Sequence, residues 1–348
     1  MKRYLCLVFS ILFLFSILTG CSAENQQSEE QTRETGKIVK TDKVNNENNK
    51  KQPLIACIVN QDDQYMKLLQ LGMSDAAARL GANIILANTY GRLDKEIELI
   101  NTYIKSGVDG ICIHPVSVDL SVPILKKAKE NGVKVISAGI SIADQYDISY
   151  IESDQWELGK KSGEACRNFI EKNLNGSANI AILNYKSQFP DESDRRTEAF
   201  KSEVTKLPRV KITVVREAWL YESAVTEARN IISQYPDLDI IWAANEGGTV
   251  GAAIAVKNTG KSGKIFVFGT DVNEQLLNML INDDKILQAV TGQQPYVIGY
   301  QSMEQLIGDI NGEQTNGKII IPGIPLSRSD PEEVRKFIED FKKTIGAN

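Results

Sequence analysis

Histidine is almost missing from this chain: His114 is the only one in 348 residues. A lone imidazole rules out a histidine metal cluster, and no catalytic partner or Ser-His-Asp arrangement is recognisable around it in the sequence. Cysteine is nearly as scarce, with five residues and no CxxC or metal-ligand spacing among them. Cys57 and Cys112 fall in apolar strand-like runs and Cys166 on a helical pattern, so these three read as small buried apolar residues rather than as disulfide partners. There is no phosphate-cradling GxxxxGK[ST] and no GxSxG nucleophile elbow. Asn245-Glu246-Gly247-Gly248 is glycine-rich but has neither a lysine nor a GxGxxG pattern. The chain therefore reads as a non-enzyme with no cofactor and no bound metal. The net charge is −5 and no basic block occurs, which argues against nucleic acid as a partner.

Long apolar runs are also few. The one at the N-terminus, from Tyr4 to Leu18, follows the basic head Met1-Lys2-Arg3 and closes on Leu18-Thr19-Gly20-Cys21. It is short of the ~20 residues a membrane-spanning helix needs and has the layout of an export signal over residues 1–20. The closing tetrad resembles a bacterial lipobox, which implies that Cys21 is lipidated and becomes the mature N-terminus. A plain anchor helix and a signal cut elsewhere are the alternatives. In each case the bulk of the chain works outside the cytoplasmic membrane, held to it by lipid on the first reading. Residues 21–52 are Asn, Gln, Glu, Lys, Thr and Ser with almost nothing apolar. Such a segment buries too little surface to offset its ordering entropy and reads as a disordered tether.

What is abundant begins at Pro53. Apolar runs of strand length alternate with helical patterns, and ARLGANIIL, YIKSGVDGICI and AKENGVKVIS share one grammar of helix, glycine, short strand. Repeated βα units at this spacing demand a parallel sheet. A second alternating run follows Trp156, with a helix expected over 195–205 and strands at Ala178–Leu183, Lys211–Arg216, Ile240–Trp242, Ile265–Phe268 and Leu287–Thr291. The expected architecture is α/β, with two doubly wound, Rossmann-like lobes facing each other across a cleft.

The stretch Ile240–Asp271 places the first candidate site residues. Asn245 and Asp271 come just past the carboxyl ends of successive parallel strands, the edge where open α/β sheets bind ligands. An amide beside a carboxylate suits a neutral, hydroxyl-rich molecule. A helix cap at Asn245 and a turn residue at Asp271 are the structural alternatives.

An ordered set of motifs now carries a resemblance: Val135-Ile136-Ser137, Ile151-Glu152-Ser153-Asp154 leading to Leu158-Gly159, Arg196-Thr197-Glu198-Ala199-Phe200, Ala244-Asn245-Glu246 with Gly251-Ala252, Val267-Phe268-Gly269-Thr270-Asp271, and Gln293-Gln294-Pro295 with Gly299. From about Leu54 to Pro325 the chain resembles a type I periplasmic binding protein, closest to the ribose- and galactose-type sugar-binding components of ABC importers. The resemblance implies three crossovers forming a hinge, near Ser153, Gln293 and Ile320. It also implies a first lobe of 53–153 plus 294–319 and a second of 154–293 plus 320–348. It assigns Asn245, Asp271 and Gln293 to ligand contact. Asp62, Asp63, Tyr65 and Met66 follow the first strand, where the family has polar groups and then aromatics. Trp219 and Tyr221 are placed on the opposing wall, and His114 ends the third strand facing the same cleft, where it either steadies the loop or contacts ligand.

Two departures count against ribose or glucose. The family's Asp-Arg pair after Ser137 is replaced by Gly139-Ile140, and its other ligand arginine by Asp194, with Arg195 as the expected substitute. Loss of the arginine forks implies a more apolar pocket or a smaller, less hydroxylated ligand. The function implied is a lipid-anchored extracytoplasmic receptor that binds a sugar or polyol and delivers it to an ABC permease. The alternative is a sugar-sensing subunit that signals to a membrane histidine kinase.

Overall fold

The computed structural model describes residues 37–39, 52–142, 144–344 and 346. The expected signal, Cys21 and the tether apart from residues 37–39 and 52 lie outside the described residues. The order along the chain is β1 (Lys37–Val39), β2 (Leu54–Val59), α1 (Gln64–Leu80), β3 (Asn83–Asn88), α2 (Leu93–Ser106), β4 (Gly110–Ile113), α3 (Val122–Glu130), β5 (Lys134–Ala138) and β6 (Ser149–Ser153). Then follow α4 (Gln155–Asn173), β7 (Ser177–Asn184), α5 (Pro190–Val204), β8 (Arg209–Glu217), α6 (Tyr221–Gln234), β9 (Ile240–Ala243), α7 (Glu246–Asn258), β10 (Phe266–Thr270), α8 (Glu274–Ile281) and β11 (Leu287–Gly292). The chain ends with α9 (Pro295–Asn311), β12 (Lys318–Ile321), β13 (Ile324–Ser327) and α10 (Pro331–Thr344).

These elements form two sheets. The first has seven strands in the order β1-β3-β2-β4-β5-β6-β12, and the second six in the order β13-β11-β10-β9-β7-β8. Neighbours are parallel except at one edge of each sheet, where β1 runs antiparallel to β3 and β13 antiparallel to β11. The central strands are buried on both faces, as a parallel sheet sandwiched by helices requires. Each sheet carries an apolar cluster on either side. This is the doubly wound two-lobed α/β fold that the sequence implied.

Three short passages link the lobes: Ser153 to Gln155, Gly292 to Pro295, and Ile321 to Ile324. The third falls just beyond Ile320, because β12 stays in the first sheet through its pairing of Ile321 with Ser153. Two other features differ from expectation. Lys37–Val39, inside the segment read as a partnerless tether, pairs with Ile84–Leu86 along the sheet edge. An exposed edge offers unpaired backbone groups that even a three-residue polar-flanked strand can satisfy. The helix expected from residue 195 starts at Pro190 instead. Its first turn has proline at a position that needs no N–H and acids at the positive end of the helix dipole, so no apolar periodicity is needed to start it.

Candidate functional site

The carboxyl ends of both sets of parallel strands converge on one cavity of ≈ 230 Å³ between the lobes. From the first lobe, Asn60, Gln61, Asp63, Tyr65 and Met66 follow β2, His114 follows β4 and Gly139 follows β5. From the second, Tyr185 follows β7, Trp219 follows β8, Asn245 and Glu246 follow β9, and Asp271 follows β10. Phe189, Glu192 and Arg196 come from the start of α5, and Gln293 from the second crossover.

Asp271 is tied to three neighbours. Its Oδ1 accepts from Gln293 Nε2 at 2.7 Å and its Oδ2 from the backbone N–H of Glu246 at 2.9 Å. Arg196 Nη1 stands 3.8 Å from Oδ1. The residue sits at φ +72°, a left-handed conformation that a short polar side chain adopts more readily than most. Asn245 caps α7 by accepting from Gly248 N at 3.2 Å, and its Nδ2 donates to Trp219 O at 3.0 Å. The cap and the cavity-lining position are therefore held by the same side chain. Arg196, 3 % exposed, donates through Nε to Gln155 Oε1 at 2.6 Å and through Nη1 to Ala244 O at 2.8 Å. Its guanidinium lies over the Tyr185 ring at 5.3 Å.

On the first lobe, Asp63 caps α1 by accepting from Met66 N at 2.9 Å. His114 Nδ1 is 2.8 Å from Ala138 O. A carbonyl only accepts, so the ring proton sits on Nδ1 and Nε2 is left an acceptor. Burial pushes this imidazole down to about 4, so it is neutral at pH 7. Burial pushes Glu192 up to about 7, opposed by Arg196 and reinforced by Glu152 and Asp271. Burial does the same to Glu246, also up to about 7, opposed by a hydrogen bond from Asn273 and reinforced by Asp271 and Asp63.

Asp63, Tyr65, His114, Trp219, Asn245, Asp271 and Gln293, expected from the sequence, all line the cavity, while Asp62 and Arg195 do not. Asp62 is exposed and pairs with Lys67 at 3.2 Å. Arg195 faces Glu152 and Asp154 at 3.8 and 3.9 Å, beside the first crossover. Residues 192 and 196 share a helix face, and residue 195 is turned about 100° from 196 around the axis. The early start of α5 thus puts Glu192 and Arg196 in the cavity in place of Arg195. Sequence reading passed over both because it began the helix too late; Pro190 followed by Asp191 and Glu192 was the available signal. The structure also accounts for Gly139. A Cβ there would lie 2.8 Å from both His114 Nδ1 and Tyr65 Oη, at φ +91°, so these two side chains leave no room for a larger residue at this position. Ile140 is 2 % exposed and turned into the lobe.

The model of the family described as "Periplasmic binding protein domain" matches residues 55–314. An ABC transporter periplasmic-binding protein of Escherichia coli (strain K12) is 29% identical over 279 residues, covering 78% of this chain and 84% of the relative. The ribose import binding protein of Bacillus subtilis (strain 168) is 24% identical over 334 residues, covering 92% and 98%. The crystal structure of an ABC transporter periplasmic solute binding protein from Actinobacillus succinogenes 130z with bound D-allose superposes with a TM-score of 0.75 at 20% identity, covering 81% of this chain and 100% of that one. With the two lobes, the cavity between them and a family match over three-quarters of its length, this chain belongs to the periplasmic binding proteins, extracytoplasmic solute receptors of ABC importers rather than enzymes.

Proposed function

We propose that the protein is a lipid-anchored receptor that holds a sugar or sugar-like polyol in the interlobe cavity and delivers it to an ABC permease. The observation that carries this reading is the convergence of Asn245, Asp271 and Gln293 with Tyr65 and Trp219 on one cavity between the lobes. Polar groups fixed by the protein orient hydroxyls, and aromatic faces cover the apolar side of a ring. The contacts we assign to ligand are Asp63, Tyr65, His114, Trp219, Asn245, Asp271 and Gln293, with Arg196 replacing Arg195. The lobes we assign as 53–153 plus 294–321 and 154–293 plus 322–348, the third boundary moved past β12, hinged at the three crossovers. The two curated relatives are named for transport and import, which favours delivery to a permease over signalling to a kinase.

A thermal-shift screen of pentoses, hexoses and polyols on the full chain in detergent tests the ligand class. A ligand at 100 times its dissociation constant raises stability by ~2.7 kcal/mol. A screen in which none of these compounds moves the melting temperature would refute the assignment. The anchor rests on Leu18-Thr19-Gly20-Cys21 after an apolar run. Cys21→Ser is expected to block processing or release the protein from the membrane fraction, and processing with wild-type fractionation would remove the lipid from the reading.

A further inference from the structure

The cavity has an excess of acidic side chains over basic ones. Four carboxylates line it, on Asp63, Glu192, Glu246 and Asp271, against one guanidinium, on Arg196. That guanidinium is already committed to Gln155, Ala244 and the neighbourhood of Asp271. Among the amides, Gln293 Nε2 is engaged by Asp271 and Asn245 Nδ2 by Trp219 O. Acceptors remain. Asn60, 1 % exposed and lining the cavity, donates its Nδ2 to Pro115 O and leaves Oδ1 without a partner. His114 offers Nε2 as an acceptor, since its proton is on Nδ1.

A hydroxyl brings one donor and lone pairs that need donors in return, which the unpartnered Tyr65 and Tyr185 hydroxyls can supply, but it brings no charge to set against the acidic groups. A protonated amine brings three donors, no acceptor and a positive charge. It also suits the aromatic surfaces of Tyr65, Phe189 and Trp219, whose ring faces attract cations. Resting on the sugar-receptor reading above, we propose that the natural ligand is cationic: an amino sugar or amino polyol whose ammonium group is held by the acidic wall. The same wall accounts for the missing arginines, because guanidinium groups at those positions would repel such a ligand.

The test uses matched pairs that differ by one hydroxyl-to-amine replacement: glucose and glucosamine, galactose and galactosamine, myo-inositol and an amino-deoxy inositol. Calorimetric titration of the full chain in detergent at pH 7 is expected to show an amine member binding at least ~10-fold more tightly than its hydroxyl partner, the scale of one charge-assisted hydrogen bond. Glu192→Gln and Glu246→Gln, made separately and checked by melting temperature, are each expected to shrink that ratio. Lowering the pH to 5.5 is expected to shrink it too. The amine stays charged over this range while Glu192, facing Arg196, Arg195, Glu152 and Asp271, and Glu246, facing Asp271 and Asp63, take up protons. Hydroxyl members that bind as tightly as their amines in every pair would overturn the cationic ligand and leave the sugar receptor standing. Failure of both members of every pair to bind would overturn both.

Discussion

Asp271 shows how a single residue carries two demands. Its carboxylate ties the end of β10 to the start of α7 and to the second crossover, through Glu246 N and Gln293 Nε2. The same oxygens face the cavity. Removing the carboxylate leaves ligand donors and protein donors unpaired together, at ~1.5–3 kcal/mol for each hydrogen bond to a charged group. Asp271→Ala is therefore expected to weaken ligand binding roughly 100-fold, ~2.7 kcal/mol. Asp271→Asn keeps the left-handed backbone tolerable but turns an amide N–H toward existing donors, so it too should bind poorly. Titration beside melting curves checks this; near wild-type affinity in folded Asp271→Ala would take the residue out of the site. Glu192 and Glu246 give a second prediction. Each has an ordinary value of 4.5 when unfolded and is raised to about 7 in the fold, chiefly by burial. Between those values the folded protein holds more protons than the unfolded chain. Their stabilisation is complete below pH 4.5 and is lost as pH rises through 7. The ligand-free melting temperature is expected to fall from pH 5.5 to pH 8, and Glu192→Gln or Glu246→Gln to flatten the slope. A profile unchanged in both variants would contradict the assignment.

Among elements, α1 and α9 are packed under a tight steric constraint. A Cβ at Gly299 would fall on the backbone oxygen of Leu69, and one at Gly72 on that of Tyr296. The two helices touch backbone to backbone, with no room for a methyl group. Gly299→Ala is expected to force them apart at a cost of ~1–3 kcal/mol, read as a lower denaturation midpoint with little change in slope. An unchanged midpoint would mean that the helices slide without loss. Most of the helices and strands were legible in the sequence because apolar runs bounded by glycine mark buried strands and the helices between them. The start of α5 was not, because acids after a proline have no apolar period, and the error moved the site arginine by one residue. The strands β12 and β13 were missed for a different reason. Each is a four-residue edge strand, and its identity depends on pairing with Tyr150–Ser153 or Ala289–Gly292 rather than on its own pattern. In the site, the residues following strands β2, β4, β8, β9, β10 and β11 were readable from position. The acidity of the cavity was not, since it depends on which face of α5 turns inward and on the burial of Glu246.

For the molecule as a whole, the route of the chain sets the order in which it can fold. The first lobe is begun by residues 54–153 but covered by α9, whose Ile298, Met303, Leu306 and Ile307 fill the apolar layer against α1 and β4 to β6. Those residues are made only after residues 154–293 of the second lobe. A chain stopped at Ser153 therefore leaves that sheet face bare, and contacts this far apart in sequence form slowly. Residues 52–153 expressed alone are expected to bind an apolar dye and aggregate, and adding a peptide of residues 294–321 to restore solubility. A monomeric, cooperatively melting 52–153 fragment would show that α9 is dispensable. The late arrival of this helix leaves the first lobe without its cover until residue 311 has been synthesised, and an uncovered, unfinished lobe is a state in which a polypeptide can still be threaded through a narrow channel.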